Sequence, residues 1–460
     1  MIDSIAVLPL VNTATDPNTE YLSDGISDAL INSLTELQQL HVVARSTAFR
    51  YKGKEVDPQQ VGHDLNVRAV LTGRVRQMGD RLDVQVDLVD VTTGAQLWGE
   101  EYERNISDVL TIKQTIAREV TEKLRLKLFG AEQQKLVRHD TTNAEAYQLY
   151  LRGRYFWNHR TADNIKRAIE QFQMAIDRDP NFALGYVGLA DCYGLLEELA
   201  GVPATETIAK ARAAADRALQ LDDSLAEAHT SSAFVFQQMW RWQETQREYE
   251  RAISLNPNYP TAHHWFSIYL RAQGKFEDSL KEIQRAHELD PLSSVISQNI
   301  AELEILKNDL NSAVAHCKEI IELDPNFPGA HDELGFAYLK QRRFDDAIAE
   351  LRKTVELSGR SSRTLGDLGY AEAVRGKRVE ALAIEKELEE RYVRHEALGQ
   401  YVAEVYAGLG DNDKAFEWLD KDLERGIGIR LIFVRWWFTF GELRKDPRYV
   451  DLVHRMGLQI

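Results

Sequence analysis

Asp24 and Asp28 stand four residues apart in "YLSDGISDALINSL", a spacing that puts both carboxylates on one face of a helix. Two carboxylates so placed could divide acid and base work between them. The plainer role is helix capping, with Ser23 or Asp24 as the cap, plus a solvated face. A second cluster gathers Arg45, Arg50, Lys52 and Lys54 into "RSTAFRYKGK", beside Ser46 and Thr47 at a strand end. It could hold an anion, and as an alternative ligand site it comprises Arg45, Ser46, Thr47 and Lys52. No glycine-rich cradle accompanies it, so an ordinary polar loop is the plainer reading. Histidine supplies the third candidate: His229, His263 and His331 recur in step, with His264 beside His263. Stacked units lie about one helix pair apart, far beyond the ~2 Å bonds of a shared metal, so these are packing or groove residues. The chain contains no GxSxG, HExxH, phosphate-loop or kinase pattern. It reads as a non-enzyme without metal or cofactor.

The elements that carry these residues come in two kinds. Pro257, Pro291 and Pro325 are each 34 residues apart, and the same step reaches Gly359 forward and Asp223 backward. Pro180 precedes Asp223 by one period plus an insertion, placed at about Glu197 to Thr205. A period of this length marks stacked helix hairpins. In the unit from Pro328, Leu334, Gly335 and Tyr338 share a first helix, and Ala347, Leu351 and Leu357 share a second, with "KQRRFDD" between them. Ser279 and Ala313 fall at the place of Ala347 in earlier units, where small side chains allow close helix packing. The pattern resembles the tetratricopeptide repeat, on Leu334-Gly335, Tyr338, Phe344, Ala347 and the "LDP" endings at Leu289 and Leu323. About eight units then run from Leu149 to Ile429.

The first 105 residues alternate periods instead. "SIAVLPL" reads as a buried strand, Leu22, Ile26, Leu30, Leu34 and Leu37 as one helical face, and "LHVVARS" as a second strand. Asp57-Pro58 starts a further helix, and two alternating runs flank Met78-Gly79-Asp80-Arg81 as a hairpin. "AQLWGEEYE" follows, then an amphipathic helix from about Ile106 to Phe129. The fold expected is a small α/β domain with a mixed sheet, β-α-β-α-β-β-β-α, followed by an all-α right-handed superhelix of about eight helix pairs. Its segments are residues 1–105, a connecting helix and linker over 106–142, the solenoid over 143–429 and a C-terminal cap over 430–460. The cap contains "IRLIFVRWWFTF" and a short helix beginning near Asp446-Pro447.

The 460 residues carry a net charge of −16 with no basic stretch, which excludes nucleic acid as a partner. No apolar run is long enough to insert in a membrane. Cys192 and Cys317 read as buried small hydrophobes and leave the redox compartment open. No signal sequence precedes "SIAVLPL", so the chain reads as soluble.

Residues 4–103 resemble the amino-terminal domain of TolB, on "SIAVLPL", "EYLSDGISDALINSL", "VVARSTAFRYKGK", "LNVRAVLTGRVRQMGDRLDVQVDLVD" and "TGAQLWGEEYE". In modular bacterial regulators that domain commonly precedes tetratricopeptide repeats, behind an adenylate cyclase, a protein kinase or a winged-helix domain. The resemblance implies the regulatory half of such a regulator or a stand-alone relative, cytoplasmic, or periplasmic if it is the sensory half of a membrane-anchored protein. The function expected is a protein-interaction scaffold that holds a partner peptide or domain, with self-association open; the alternative is a small-molecule or ion sensor in the α/β domain. In the repeat register, the groove-facing positions of the first helices are Phe234, Gln237, His264, Ile268, Arg271, Gln298, Glu302, Asp332, Phe336, Leu339 and Tyr370.

Overall fold

The computed structural model describes residues 2–458, apart from Thr15, residues 127–140, Arg160, Gly201, Pro203 and residues 426–429. The linker expected between the two halves falls largely outside the described residues.

The amino-terminal sheet is mixed. β1 (Ser4–Val7) runs parallel to β3 (His41–Val42) on one side and to β4 (Ala69–Met78) on the other. β5 (Arg81–Asp90) and β6 (Gln96–Asn105) continue it antiparallel, and β2 (Val11–Asn12) also pairs with β4. Ile5 faces Val42 and Ala69 in register, and all of β1 is buried, as its unbroken apolar run requires. In β4, a Cβ at Gly73 would lie 2.1 Å from the Gln85 carbonyl oxygen of β5, so only glycine permits this ladder. α1 (Glu20–Thr35) packs Leu22, Ile26, Leu30 and Leu34 into the core; α3 (Pro58–Asp64) is capped by Asp57, which accepts from the Gln59 amide.

Three local expectations change. α1 begins at Glu20, so Ser23 and Asp24 lie inside it and cap nothing. The second strand shortens to His41–Val42, and the expected polar loop contains a helical turn, α2 (Arg45–Ala48), then a 3-10 turn at Phe49–Tyr51. The helix expected from Ile106 is described as α4 (Val109–Lys123).

Among the described residues of the array, sixteen helices follow as eight consecutive pairs. They are α5 (Ala144–Asn158) with α6 (Ala162–Arg178), α7 (Ala183–Ala200) with α8 (Ala204–Leu221), α9 (Ala226–Gln238) with α10 (Trp242–Leu255), and α11 (Pro260–Ala272) with α12 (Phe276–Leu289). Then come α13 (Ser294–Leu306) with α14 (Leu310–Leu323), α15 (Pro328–Lys340) with α16 (Phe344–Leu357), α17 (Ser362–Val374) with α18 (Arg378–Val393), and α19 (Gly399–Leu409) with α20 (Asn412–Arg425). The nine extra residues after α6 lengthen α7 and α8 to 18 residues each. After the last pair come 3-10 turns at Arg430–Arg435 and Phe438–Phe440, then α21 (Pro447–Arg455), capped by Asp446.

Each pair closes on small residues. Ala313 and Ala347 are fully buried, and a Cβ at Gly335 would come within 2.7 Å of Leu351 and 3.3 Å of the Ala347 carbonyl. No space remains between α15 and α16. Ala347→Trp is therefore expected to destabilise the protein by about 1–3 kcal/mol or more, read as a lower midpoint in urea denaturation. An unchanged midpoint refutes this placement.

The three recurring histidines have a structural role. His229 places Nδ1 2.6 Å from Glu248 on its partner helix and Nε2 2.9 Å from the Asp223 carbonyl in the preceding turn. His263 repeats this with Glu282 and the Pro257 carbonyl, and His331 with Glu350 and the Pro325 carbonyl. Each ties the two helices of a pair to the turn before them.

Candidate interaction groove and the domain junction

The expected groove positions lie on successive first helices: Phe234 and Gln237 on α9, His264, Ile268 and Arg271 on α11, Gln298 and Glu302 on α13, Asp332, Phe336 and Leu339 on α15, and Tyr370 on α17. Most are buried, including Arg271 and Phe336 at 2% exposure each. Neighbouring helices account for part of this. Phe234 packs against Trp265 with ring centres 4.7 Å apart and planes tilted by 33°, and the Tyr249 hydroxyl donates to Gln237. Arg271 pairs with Glu302 at 2.8 Å, and Arg363 bridges Asp332 and Asp367. Gln298 donates to Glu333, whose carboxyl is pushed up by burial and by the nearby Glu302 and Asp332 charges.

The chain's own carboxy-terminal segment covers Phe336 and Tyr370. Trp437 and Phe438 meet Phe336 edge to face, at 5.0 and 5.5 Å between ring centres, and Phe438 meets Tyr370 at 6.2 Å. The ammonium of Lys340 lies 5.8 Å from the Phe438 ring centre. Arg435 donates to the Ala272 carbonyl at the end of α11, and Trp242 on α10 donates to the Met456 carbonyl. Arg448 and Arg455 of α21 pair with Asp413 and Asp420 of α20. The carboxy-terminal segment thus touches the last pair and also reaches back to α10, α11, α15 and α17.

The basic cluster lies at the junction of the two halves. Thr47 donates to Asp290 at 2.7 Å, and Ser46 donates to the other oxygen of the same carboxylate. The Leu292 amide donates back to the Thr47 hydroxyl. Arg50 donates to the Leu292 and Leu323 carbonyls and to the Ser294 hydroxyl. These contacts fix α2 on the turn between α12 and α13. Lys52 turns inward to Asp24 at 2.7 Å and Glu20 at 2.8 Å.

Asp28 lies between Arg45 and Arg154 of α5, 3.6 Å from each. Both aspartates of α1 are buried, at 3% and 5% exposure, against the expectation of a solvated face. The reason is tertiary: α5 and the basic cluster cover that face. Beside it, a cavity of about 60 Å³ lined by Asp28, Lys113, Tyr150, Arg154 and Tyr259 has room for a few waters.

Among the described residues, no group of three His, Cys, Asp or Glu side chains is placed to hold a metal, and no helix is long and apolar enough to cross a membrane. Cys192 and Cys317 are both buried thiols, and burial pushes the Cys317 thiol up. The α2 docking site escaped sequence reasoning because its two halves lie more than 240 residues apart. The aromatic run at Trp436–Phe438 was a visible signal for the second site.

The α/β domain and the helical array meet known proteins separately. Residues 2–119 match the model of the HilA/YgeH-like transcriptional regulator, second domain, and residues 333–392 match the tetratricopeptide-repeat model. The chain thus joins an α/β domain similar to that regulator domain to a tetratricopeptide-repeat array. A protein of Rhizobium meliloti (strain 1021) that carries a provisional adenylate cyclase name is 30% identical over 245 residues. That match covers 53% of this chain and 42% of the relative, so the chain spans less than half of that protein's length. Among solved structures, PilF of Pseudomonas aeruginosa is 21% identical, covering 45% of this chain and 94% of its own, at a TM-score of 0.34. A human IFIT1 dimer with m7Gppp-AAAA is 15% identical, covering 68% and 77%, at a TM-score of 0.46. These structural likenesses concern the fold alone.

Proposed function

We propose that this chain is a non-catalytic interaction and regulatory module of bacterial signalling, which holds a partner segment on the first-helix face of its repeats. The observation that carries this reading is the seat at Phe336 and Tyr370, where aromatic rings and a helix terminus already accommodate a short irregular peptide segment, the chain's own. The junction gives the regulatory half of the reading its support. Asp290 and Arg50 join the α/β domain to the middle of the array, so a change in the array has a direct route to that domain. The matched regulator domain and the cyclase-named relative accord with such a role. The sensor reading has less support, because Arg45, Ser46, Thr47 and Lys52 each face a carboxylate of the chain itself.

A photo-cross-linking residue tests the proposal when placed at Gln298, on a first helix, and in parallel at Val379, which is 79% exposed on a second helix. In cells of the source organism, one defined polypeptide is expected to cross-link from Gln298 and not from Val379. Equal capture from both positions, or from neither, would count against the groove.

A further inference from the structure

Three observations concern how the carboxy-terminal segment is held, and they point in one direction. The first is the aromatic seat. The rings of Trp437 and Phe438 stand nearly perpendicular to that of Phe336, and Phe438 also reaches Tyr370. Such contacts are specific in geometry and modest in strength.

The second is a cation site of a defined kind. The Arg435 guanidinium donates at 2.7 Å to Ala272, the last residue of α11, where carbonyls lack intrahelical partners and the helix dipole favours positive charge. Gly274 follows with φ +76°, and a Cβ there would stand 3.3 Å from the same guanidinium, so the backbone leaves that group its space.

The third is that the segment fits its seat imperfectly. Arg435 and Arg444 are held by the carbonyls of Ala272 and Trp437, and burial lowers the pKa of both guanidinium groups. The Thr439 hydroxyl is buried at 4% exposure, and no described residue hydrogen-bonds to it. A buried hydroxyl without a partner costs free energy, so at Thr439 this segment is a weaker occupant than one with an apolar side chain there. It also departs from the surrounding composition. Residues 430–458 carry six Lys/Arg against three Asp/Glu in a chain whose net charge is −16.

We infer that residues 430–440 are an internal stand-in for the groove's partner, a basic aromatic peptide with an arginine closely followed by two adjacent aromatic residues, and that such a peptide displaces them. This rests on the groove reading above and names the chemistry of its ligand. The arginine caps the end of α11, and the two rings fill the seat at Phe336 and Tyr370. A tethered segment competes at an effective concentration near millimolar, so the intact chain keeps the seat closed to weak ligands and opens it to a peptide that fits better.

The experiment uses the full chain and a fluorescein-labelled peptide of residues 430–445, followed by fluorescence anisotropy. Trp437→Ala with Phe438→Ala removes the internal competitor and is expected to tighten peptide binding about 100-fold over the unsubstituted chain. Adding Phe336→Leu and Tyr370→Leu should abolish that gain, as should a peptide carrying Arg435→Glu and Trp437→Ala. A folded variant that binds no better than the parent, or binding that survives loss of both seat rings, overturns the inference. Should the double variant fail to fold, the unsubstituted chain decides by hydrogen exchange of residues 431–440 in millimolar peptide. Faster exchange supports displacement, and unchanged exchange means a permanent cap. If the peptide displaces the segment but Gln298 cross-links nothing, the partner reading fails. If Gln298 cross-links and the segment stays seated, this inference alone fails.

Discussion

Replacing Asp290 by alanine is expected to loosen the α/β domain from the repeat array, at a cost of about 2–4 kcal/mol to the docked state. The carboxylate is 5% exposed and accepts from both the Ser46 and Thr47 hydroxyls. Without it, two hydroxyls at the junction lose their acceptor, and that of Thr47 is fully buried. Asp290→Asn should behave differently. Burial pushes this carboxyl above its ordinary value of 3.8, and the bonds from Ser46 and Thr47 only partly oppose the shift. A carboxyl raised in the folded state contributes its stability at low pH, where it is protonated. It loses that contribution as pH rises from 3.8 through the raised folded value. At neutral pH the parent thus carries a desolvation cost that an amide avoids while still accepting from Thr47. The Asn variant should dock at least nearly as well as the parent and lack that part of its decline with rising pH. Hydrogen exchange over residues 45–51 against pH reads this directly. Parent-like protection in the alanine variant would remove Asp290 from the docking contacts. An asparagine variant as loose as the alanine one would show that the charge itself is required.

Phe336→Ala should cost about 3–5 kcal/mol, the range for truncating a ring in a packed core. Phe336 is 2% exposed and is the side chain against which both Trp437 and Phe438 rest. The location of the damage is the sharper part of the prediction. Residues 431–440 should lose exchange protection, and so should the end of α11, which Arg435 secures from the same segment. Phe172→Ala provides the control. That ring is fully buried among the first pairs, within 2.5 Å of the Cβ position of Gly153 and 2.6 Å of that of Gly188. Its loss should cost a similar amount and leave residues 431–440 protected. Equal exposure of that segment in both variants would mean that the molecule opens as one unit, without a separable carboxy-terminal contact.

The sequence by itself determined the helix pairs and the succession of β1, β3, β4, β5 and β6 along the chain, but not β2 or the order of the strands in the sheet. Pro257, Pro291 and Pro325 set the period, and the small residues at Ser279, Ala313 and Ala347 set the close approach within each pair. The unbroken run of β1 and the turn at Gly79 marked strands and hairpin for the same reason: these contacts are local or recur at one fixed spacing, so composition along the chain records them. The tertiary structure alone decided what lies against the first helices and across the junction. Asp24 and Asp28 read as a cap and a solvated face until Arg45, Lys52 and Arg154 bury them. Thr47 reaches Asp290 across 243 residues, Trp242 reaches Met456 across 214, and Arg435 reaches Ala272 across 163. None of these distances is a multiple of the repeat, and each contact forms once. A pairing that occurs a single time leaves no periodic trace in the sequence, and it exists only because the stacked hairpins bring the two ends of the chain back onto the middle.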